Sequence, residues 1–366
     1  MHPLKKVAVT GVNAALACAM LPFRPFEKRS DDFGPVGIRR ILLVDCGLFG
    51  DTIISFPAVR SIRDRFPDAH LAAVINPQMR QLWESAGDCD QLIPYVAPWM
   101  IYGHGYRVAD YFAWRQVIRE MRKSPIDLTV EFSGDLRSLL FIVRASRAPR
   151  RVSVDLTGGR SLVTRLLPYP GRPEVENNLA IAMAIGGDDK PNTFAVDEQR
   201  RTRIGDILGD RDADRPRVYF AVTPGYDSKR WPEERWVELG RALHAEHTII
   251  FAGAPGDDLA GRLASHIPGA IDLTGQLDLL DLAALLAEVD LAVGVDTGPM
   301  HLATAVNTPA VCLMGPTDPV RWGPLGAALV ISDTGAMDGI GVDRVLATVM
   351  HLIHEAAHTS PEPASL

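Results

Sequence analysis

Cysteine is scarce in this chain of 366 residues: Cys18, Cys46, Cys89 and Cys312 are all there is, and no two form a CxxC pair. Neither a zinc site nor a disulfide framework fits that spacing. A reducing compartment is the simpler setting. Two phosphate-binding signatures are also missing. There is no GxGxxG and no GxxxxGK[ST], so any nucleotide is held without a dinucleotide fingerprint or a P-loop. Positive charge is not in excess, since 38 Lys and Arg face 45 Asp and Glu for a net charge of −7. The whole chain is therefore not drawn to nucleic acid or to an anionic membrane, and an anion-binding surface has to be local. The run from Val7 to Phe23 is short for a membrane-spanning helix and carries Asn13. With 47% hydrophobic and 23% charged residues, the composition is that of an ordinary globular protein, long enough for two domains.

The first 37 residues read as a separate segment. Lys5 and Lys6 precede the apolar run and Arg24 follows it, with Ala17-Cys18-Ala19 as a poor cleavage site for a signal peptide. The favoured reading is an apolar extension that packs on the body or rests on a membrane surface. After it comes the pattern of a parallel α/β unit. Ile41-Leu42-Leu43-Val44 is a continuous apolar strand, followed by a turn, a helix over 52–66, and strands over 71–75 and 91–95. The stretch 96–111 breaks this pattern with aromatics and glycines and reads as a lid or a surface excursion. A helix carrying Arg137, Arg144 and Arg147, with Arg150 and Arg151 beyond it, forms a basic cluster. It suits a phosphorylated acceptor or a plain solvated face.

The alternation restarts near residue 218 after a charged stretch, and a second α/β unit follows. Its centre is Gly294-Val295-Asp296-Thr297-Gly298-Pro299-Met300-His301. This reads as a buried strand, a tight turn and a helix whose first turn holds Pro299. The amides of Thr297 and Gly298 would point out of the strand end, where a helix N-terminus favours an anion. Other strand-end loops hold Thr223 and Lys229, Asp257 and Asp258, and Thr317 and Asp318. Lys229 is a point charge for a diphosphate, and Asp257 or Asp258 is a carboxylate for ribose hydroxyls. In the first unit Asp51 follows Gly50 where strand gives way to helix. On spacing alone it caps the helix or serves as a general base.

Four segments together carry a family resemblance. Gly50-Asp51 before Phe56-Pro57-Ala58-Val59-Arg60, the Lys229-Arg230-Trp231-Pro232 segment, Asp296-Thr297-Gly298-Pro299-Met300-His301, and Gly315-Pro316-Thr317-Asp318-Pro319 appear in that order. The combination resembles glycosyltransferase family 9, the ADP-heptose:lipopolysaccharide heptosyltransferases. The resemblance implies an α/β GT-B fold, with two Rossmann-like domains whose parallel sheets face each other across a cleft. With the breaks in patterning, the expected division is an N-terminal extension at 1–37, an acceptor domain at 38–196, a linker at 197–216, a nucleotide-sugar domain at 217–340, and a C-terminal helix and tail at 341–366.

The resemblance also implies an inverting transfer with no metal and no cofactor, ADP-heptose being a substrate. Asp51 becomes the base that deprotonates the acceptor. Thr223, Lys229, Asp257, Asp258, Asp296, Thr297, Gly298 and His301 become donor contacts. Arg137 and Arg144 of the basic cluster, together with Arg60, are read as acceptor contacts beside these. The implied partners are a nucleotide sugar and a lipopolysaccharide core or similar glycan, without nucleic acid. The implied location is the cytoplasm, at the inner face of the cytoplasmic membrane. Two departures stand out: Asp45 replaces a usually basic residue, and Cys46-Gly47-Leu48 replaces a serine-containing approach. Both are expected to face the acceptor. The alternatives are an inactive nucleotide-sugar binder or a GT-B enzyme of another reaction type.

Overall fold

The computed structural model describes residues 30–100, 108–169, 171–212 and 214–359, with backbone only at 108–111 and 356–359. The apolar segment at 7–23 and the part of the expected lid at 101–107 lie outside the described residues. The chain divides into two compact units, Met1–Pro191 and Asn192–Leu366.

The first unit is built on six parallel strands: β1 Arg40–Asp45, β2 His70–Ile75, β3 Gln91–Pro94, β4 Leu128–Glu131, β5 Arg150–Val154 and β6 Arg165–Leu167. Their order is β3-β2-β1-β4-β5-β6. Ile41, Leu42 and Leu43 are fully buried, as expected of a strand covered on both faces. The chain turns from β1 into helix α1, Phe49–Arg65, which packs against a later helix, Glu174–Ala184. Helix α1 starts earlier than the expected 52, because Leu48 is its N-cap residue, and Asp51 therefore lies in its first turn. Strands β5 and β6 were not legible as strands. Arg151, expected in a basic cluster, lies inside β5 with 1% of its surface exposed. It is a sheet residue and not a surface cation.

Two further helices cover this unit side by side. Helix α2 covers Val108–Met121. Helix α3 is continuous over 136–146, with a π-turn at Leu139–Val143. They are linked by a 2.7 Å hydrogen bond from Trp114 Nε1 to the Phe141 carbonyl.

The second unit repeats the plan. Its strands are β7 Arg217–Ala221, β8 Thr248–Phe251, β9 Ile271–Asp272, β10 Leu291–Val295, β11 Ala310–Met314 and β12 Ala328–Ile331. The order is β12-β11-β10-β7-β8-β9. Counted from the first strand of each unit, both sheets follow the doubly wound order, which reverses between the first and fourth strands. That reversal opens a crevice at the carboxyl ends of β1 and β4 in one unit, and of β7 and β10 in the other. Residues 198–208 of the expected linker form helix α4, Glu198–Leu208. Its Arg200 reaches Asp278 and Asp281 at 2.7 Å each, and Arg203 reaches Asp281 at 2.8 Å. The last helix, α5 Val342–Thr359, contributes Val345 and Val349 to the core of the second unit.

The tryptophans of the Lys-Arg-Trp-Pro segment show how sequence sets the site. Trp231 and Trp236 are fully buried, with ring centroids 4.8 Å apart and planes at 89°. This edge-to-face pair is the favourable arrangement. Trp231 Nε1 also donates to the Ile340 carbonyl at 3.0 Å. Removing such a ring costs roughly 3–5 kcal/mol. The anchor holds the short turn just before it, where Lys229 sits.

Candidate active site

The carboxyl edge of the second sheet gathers most of the expected donor residues. Lys229 ends a one-turn helix, Asp227–Lys229, and its Nζ donates to Asp296 Oδ2 at 2.7 Å and to the Asp296 carbonyl at 3.2 Å. The side chains are only 15% and 6% exposed, so this ion pair is shielded from water. The ring of Tyr226 lies 5.6 Å from the ammonium and supports it from another side. His301, one turn into the helix Gly298–Ala305, is buried. Burial lowers its pKa from the ordinary 6.5 to about 4; Asp296 opposes that shift and Lys229 adds to it. His301 is thus neutral near pH 7 and shares its surroundings with the Lys229–Asp296 pair.

Thr297 is the N-cap of that helix, in extended conformation, and its hydroxyl does not cap. Among the described residues, no acceptor takes the amide N–H of Thr297 or Gly298. These donors and the helix dipole make the end of β10 receptive to an anion. Gly294 is what lets the helix pack so close. A Cβ there would lie 2.5 Å from Ala221 Cβ and 2.5 Å from Met300 Sδ.

Thr223 and Asp257 form a second contact on the same edge. The Thr223 hydroxyl donates to Asp257 Oδ2, and Asp257 Oδ1 caps the next helix by accepting from Leu259 N at 3.1 Å. Asp258 is exposed at the first position of that helix. Of the two acids expected for ribose, Asp257 is fixed by its cap and Asp258 is the accessible one.

The carboxyl edge of the first sheet holds Asp51. Its Oδ2 accepts from Leu48 N at 2.9 Å, so the cap expected from spacing is present. Cap and base are compatible, because the cap fixes the carboxylate at the strand-to-helix turn. Gly47 is packed beneath it: a Cβ there would lie 2.4 Å from Asp51 Cβ and 2.9 Å from Asp45 Oδ1.

Asp45 corrects one expectation. It does not face outward. It is buried, with Oδ1 accepting from Gly47 N at 3.0 Å and Oδ2 from the Ser55 hydroxyl at 2.7 Å. Burial raises its pKa against those two hydrogen bonds. Asp45 braces the turn that carries Asp51.

Sequence reasoning missed Glu131, at the end of β4 beside Val44. It is buried and accepts from Ser133 N at 3.1 Å, Gly134 N at 2.8 Å and the Ser153 hydroxyl at 2.6 Å. Burial pushes its pKa up to about 7 in spite of these hydrogen bonds. Its place at the end of an apolar strand next to a Ser-Gly turn was the available signal.

The three expected acceptor arginines are not brought together. Arg137 lies in the first turn of α3 and holds Asp135 at 2.6 Å. Arg60 donates to the Pro191 carbonyl at 2.8 Å, and it stands nine positions along the helix from Asp51, about 14 Å along the axis. Arg144 sits in the last turn of its helix. Helices between parallel strands run against them, so helix C-termini lie at the amino edge of the sheet, away from Asp51. Of the three, only Arg137 is at the carboxyl edge. Among the described residues there is no group of three His, Cys, Asp or Glu side chains placed to hold a metal ion.

The fold and sequence have known counterparts. An E. coli ADP-heptose lps heptosyltransferase II structure superposes with a TM-score of 0.70 at 20% identity, covering 87% of this chain and 99% of that one. The E. coli heptosyltransferase WaaC with ADP gives 0.68 at 21% identity, covering 86% and 99%. These likenesses establish the GT-B fold. In sequence, lipopolysaccharide heptosyltransferase 1 of Pseudomonas aeruginosa is 27% identical over 309 residues, 80% of this chain and 82% of that protein. Lipopolysaccharide heptosyltransferase 3 of Escherichia coli is 26% identical over 288 residues, 75% and 83%. The profile of glycosyltransferase family 9 (heptosyltransferase) matches residues 114–338, more than half of the chain. The chain belongs to glycosyltransferase family 9, the heptosyltransferase family.

Proposed function

We propose that this protein transfers a heptose from ADP-heptose to a lipopolysaccharide core acceptor, with inversion and without a metal ion, at the inner face of the cytoplasmic membrane. The observation that carries the reading is the edge of β7 and β10. A shielded lysine, a carboxylate and a neutral histidine lie there beside two amides with no acceptor among the described residues. The ADP-bound structure of the related WaaC enzyme supports an adenosine diphosphate donor.

In this reading the second unit holds the donor and the first unit the acceptor. Asp258 takes the ribose hydroxyls, with Thr223 and Asp257 shaping the loop. Lys229 and the amides of Thr297 and Gly298 bind the diphosphate, and Asp296 accepts from a sugar hydroxyl. An acceptor hydroxyl attacks the anomeric carbon from the face opposite the diphosphate. The new C–O bond forms as the bond to the phosphate oxygen breaks, the hydroxyl proton passes to Asp51, and ADP leaves with the bonding pair. A positioned carboxylate offsets the weak nucleophilicity of a sugar hydroxyl. The charge that grows on the diphosphate meets a cation and a helix N-terminus, the groups that let the site dispense with a metal. Neutral His301 adds a polar contact there without a full charge.

The test is a transfer assay with ADP-heptose and heptose-free lipopolysaccharide, read by mass spectrometry for the added heptose and by ADP release. Equal rates with and without EDTA are expected, and an inverted anomeric linkage in the product. No transfer, or loss of transfer restored only by a divalent ion, contradicts the reading.

A further inference from the structure

One face of the first unit carries charge of a single sign that the transfer reaction does not use. Along α2, Phe112, Arg115, Arg119 and Arg122 recur at helical spacing, with Lys123 just past its end. Val117 and Met121 on the other side are buried in the core, so this stripe points outward. Phe112 is 62% exposed, and Arg115, Arg119, Arg122 and Lys123 are all exposed. Leu140 of α3 is 38% exposed.

The end of α3 extends the stripe. Arg122 Nε donates to the Ala145 carbonyl at 2.8 Å, which sets its guanidinium beside Arg144 and Arg147. The Arg122 proton is loosened first by burial, then by Arg147 and Arg144. Among the described residues, Arg115, Arg119, Arg122 and Arg147 have no carboxylate partner. The acid on this flank, Glu120, is taken by Lys123 at 2.7 Å and Gln91 at 3.1 Å. Several arginines elsewhere hold carboxylates, Arg63 with Asp90, Arg200 with Asp278 and Asp281, and Arg262 with Glu233, while Arg215, Arg235 and Arg241 donate to backbone carbonyls. A chain of net charge −7 thus leaves arginines without counter-ions on one face.

We propose that this face docks on a lipid bilayer bearing anionic phospholipids, with the arginines on the headgroups and Phe112 at the headgroup–acyl boundary. Clustered guanidiniums repel one another, and an anionic surface relieves that repulsion. Each cation near such a surface contributes about 1 kcal/mol, and an exposed aromatic beside cations is the pattern of interfacial binding. The proposal deepens the proposed function in one respect, since a lipopolysaccharide acceptor is held in a membrane. The binding itself requires neither donor nor acceptor.

The experiment is co-sedimentation of the full chain with phosphatidylcholine vesicles, with and without phosphatidylglycerol. Binding is expected only with phosphatidylglycerol and should fall as salt rises. The variant Arg115→Gln/Arg119→Gln/Arg122→Gln should lose on the order of 100-fold in affinity, three charges at about 1 kcal/mol each. Its melting temperature should fall by no more than the loss of the single Arg122–Ala145 hydrogen bond, and its calorimetric affinity for ADP should stay unchanged, so a failure here is separate from a failure of the transfer reading. Phe112→Ser should reduce the binding that persists at high salt. Equal binding to both vesicle types overturns the proposal, as does unchanged binding by the triple variant. A triple variant that changes oligomeric state instead assigns the face to a second copy of the chain and also overturns it.

Discussion

The Lys229 ammonium sits 2.7 Å from a carboxylate oxygen of Asp296 and 3.2 Å from the backbone oxygen of the same residue. Two groups assigned to different parts of the donor are therefore paired with each other. A diphosphate that draws the lysine towards it releases the carboxylate to accept a sugar hydroxyl. Lys229→Ala should weaken ADP binding by about 1.5–3 kcal/mol, roughly tenfold to 100-fold, by calorimetry. It should also destabilise the fold, because Asp296 stays buried without a counter-ion. Adding Asp296→Asn should restore the melting temperature but not the affinity. Unchanged ADP affinity in Lys229→Ala would remove the lysine from the diphosphate site.

Asp296→Asn alone carries the opposite sign for ADP. It frees the lysine and removes a negative charge from beside the diphosphate. ADP should bind more tightly, by several-fold, while the rate of heptose transfer falls. Calorimetry with ADP, set beside an assay of transfer, checks both halves. Weaker ADP binding by the asparagine variant would contradict the arrangement.

The two units should respond to acid in opposite directions. His301 has a folded pKa of about 4 against an ordinary 6.5. Its contribution is fully present above about 6.5 and is lost as pH falls towards 4. Glu131 has a folded pKa of about 7 against an ordinary 4.5. Its contribution is fully present below about 4.5 and is lost as pH rises through 7. Calorimetric scans between those limits should show His301→Gln flattening the acid loss of the second unit and Glu131→Gln flattening the alkaline loss of the first. If neither variant changes the pH slope, the assignments fail.

Gly47→Ala probes the seat of Asp51. The added methyl would stand 2.4 Å from Asp51 Cβ, so the turn has to shift. Transfer should drop by at least about tenfold, since a misplaced general base forfeits much of its 10²–10⁴-fold effect. ADP affinity should not change, because the donor residues belong to the other unit. A variant with wild-type turnover would show that this turn tolerates movement.

The second sheet was the more legible half of the molecule. Each of its functional side chains lies in the loop or turn that follows an apolar strand, Asp296 directly and Lys229 and Asp257 a few residues on, so all three could be placed at the carboxyl edge from spacing. The expected acceptor arginines of the first unit are spread apart for a physical reason. Arg60 and Arg144 lie along helices, and composition does not say which end of a helix faces the site. Strand β5 hides behind Arg150 and Arg151 at its start, where charge masks an otherwise buried segment. Asp45 was expected to face the acceptor because nothing in the sequence shows that Ser55 and Gly47 N–H satisfy it from within. Glu131 escaped notice for the same reason: its partners come from a turn and from β5, which are close only in the fold.

Asp51→Asn shows whether the carboxylate takes the acceptor proton. Asparagine keeps an oxygen for the Leu48 amide, so the turn and the melting temperature should hold. Heptose transfer should lose at least about 100-fold in kcat, the usual reach of a general base, with unchanged affinity for ADP. A kcat within a few-fold of the parent protein, measured on the same folded preparation, would contradict it.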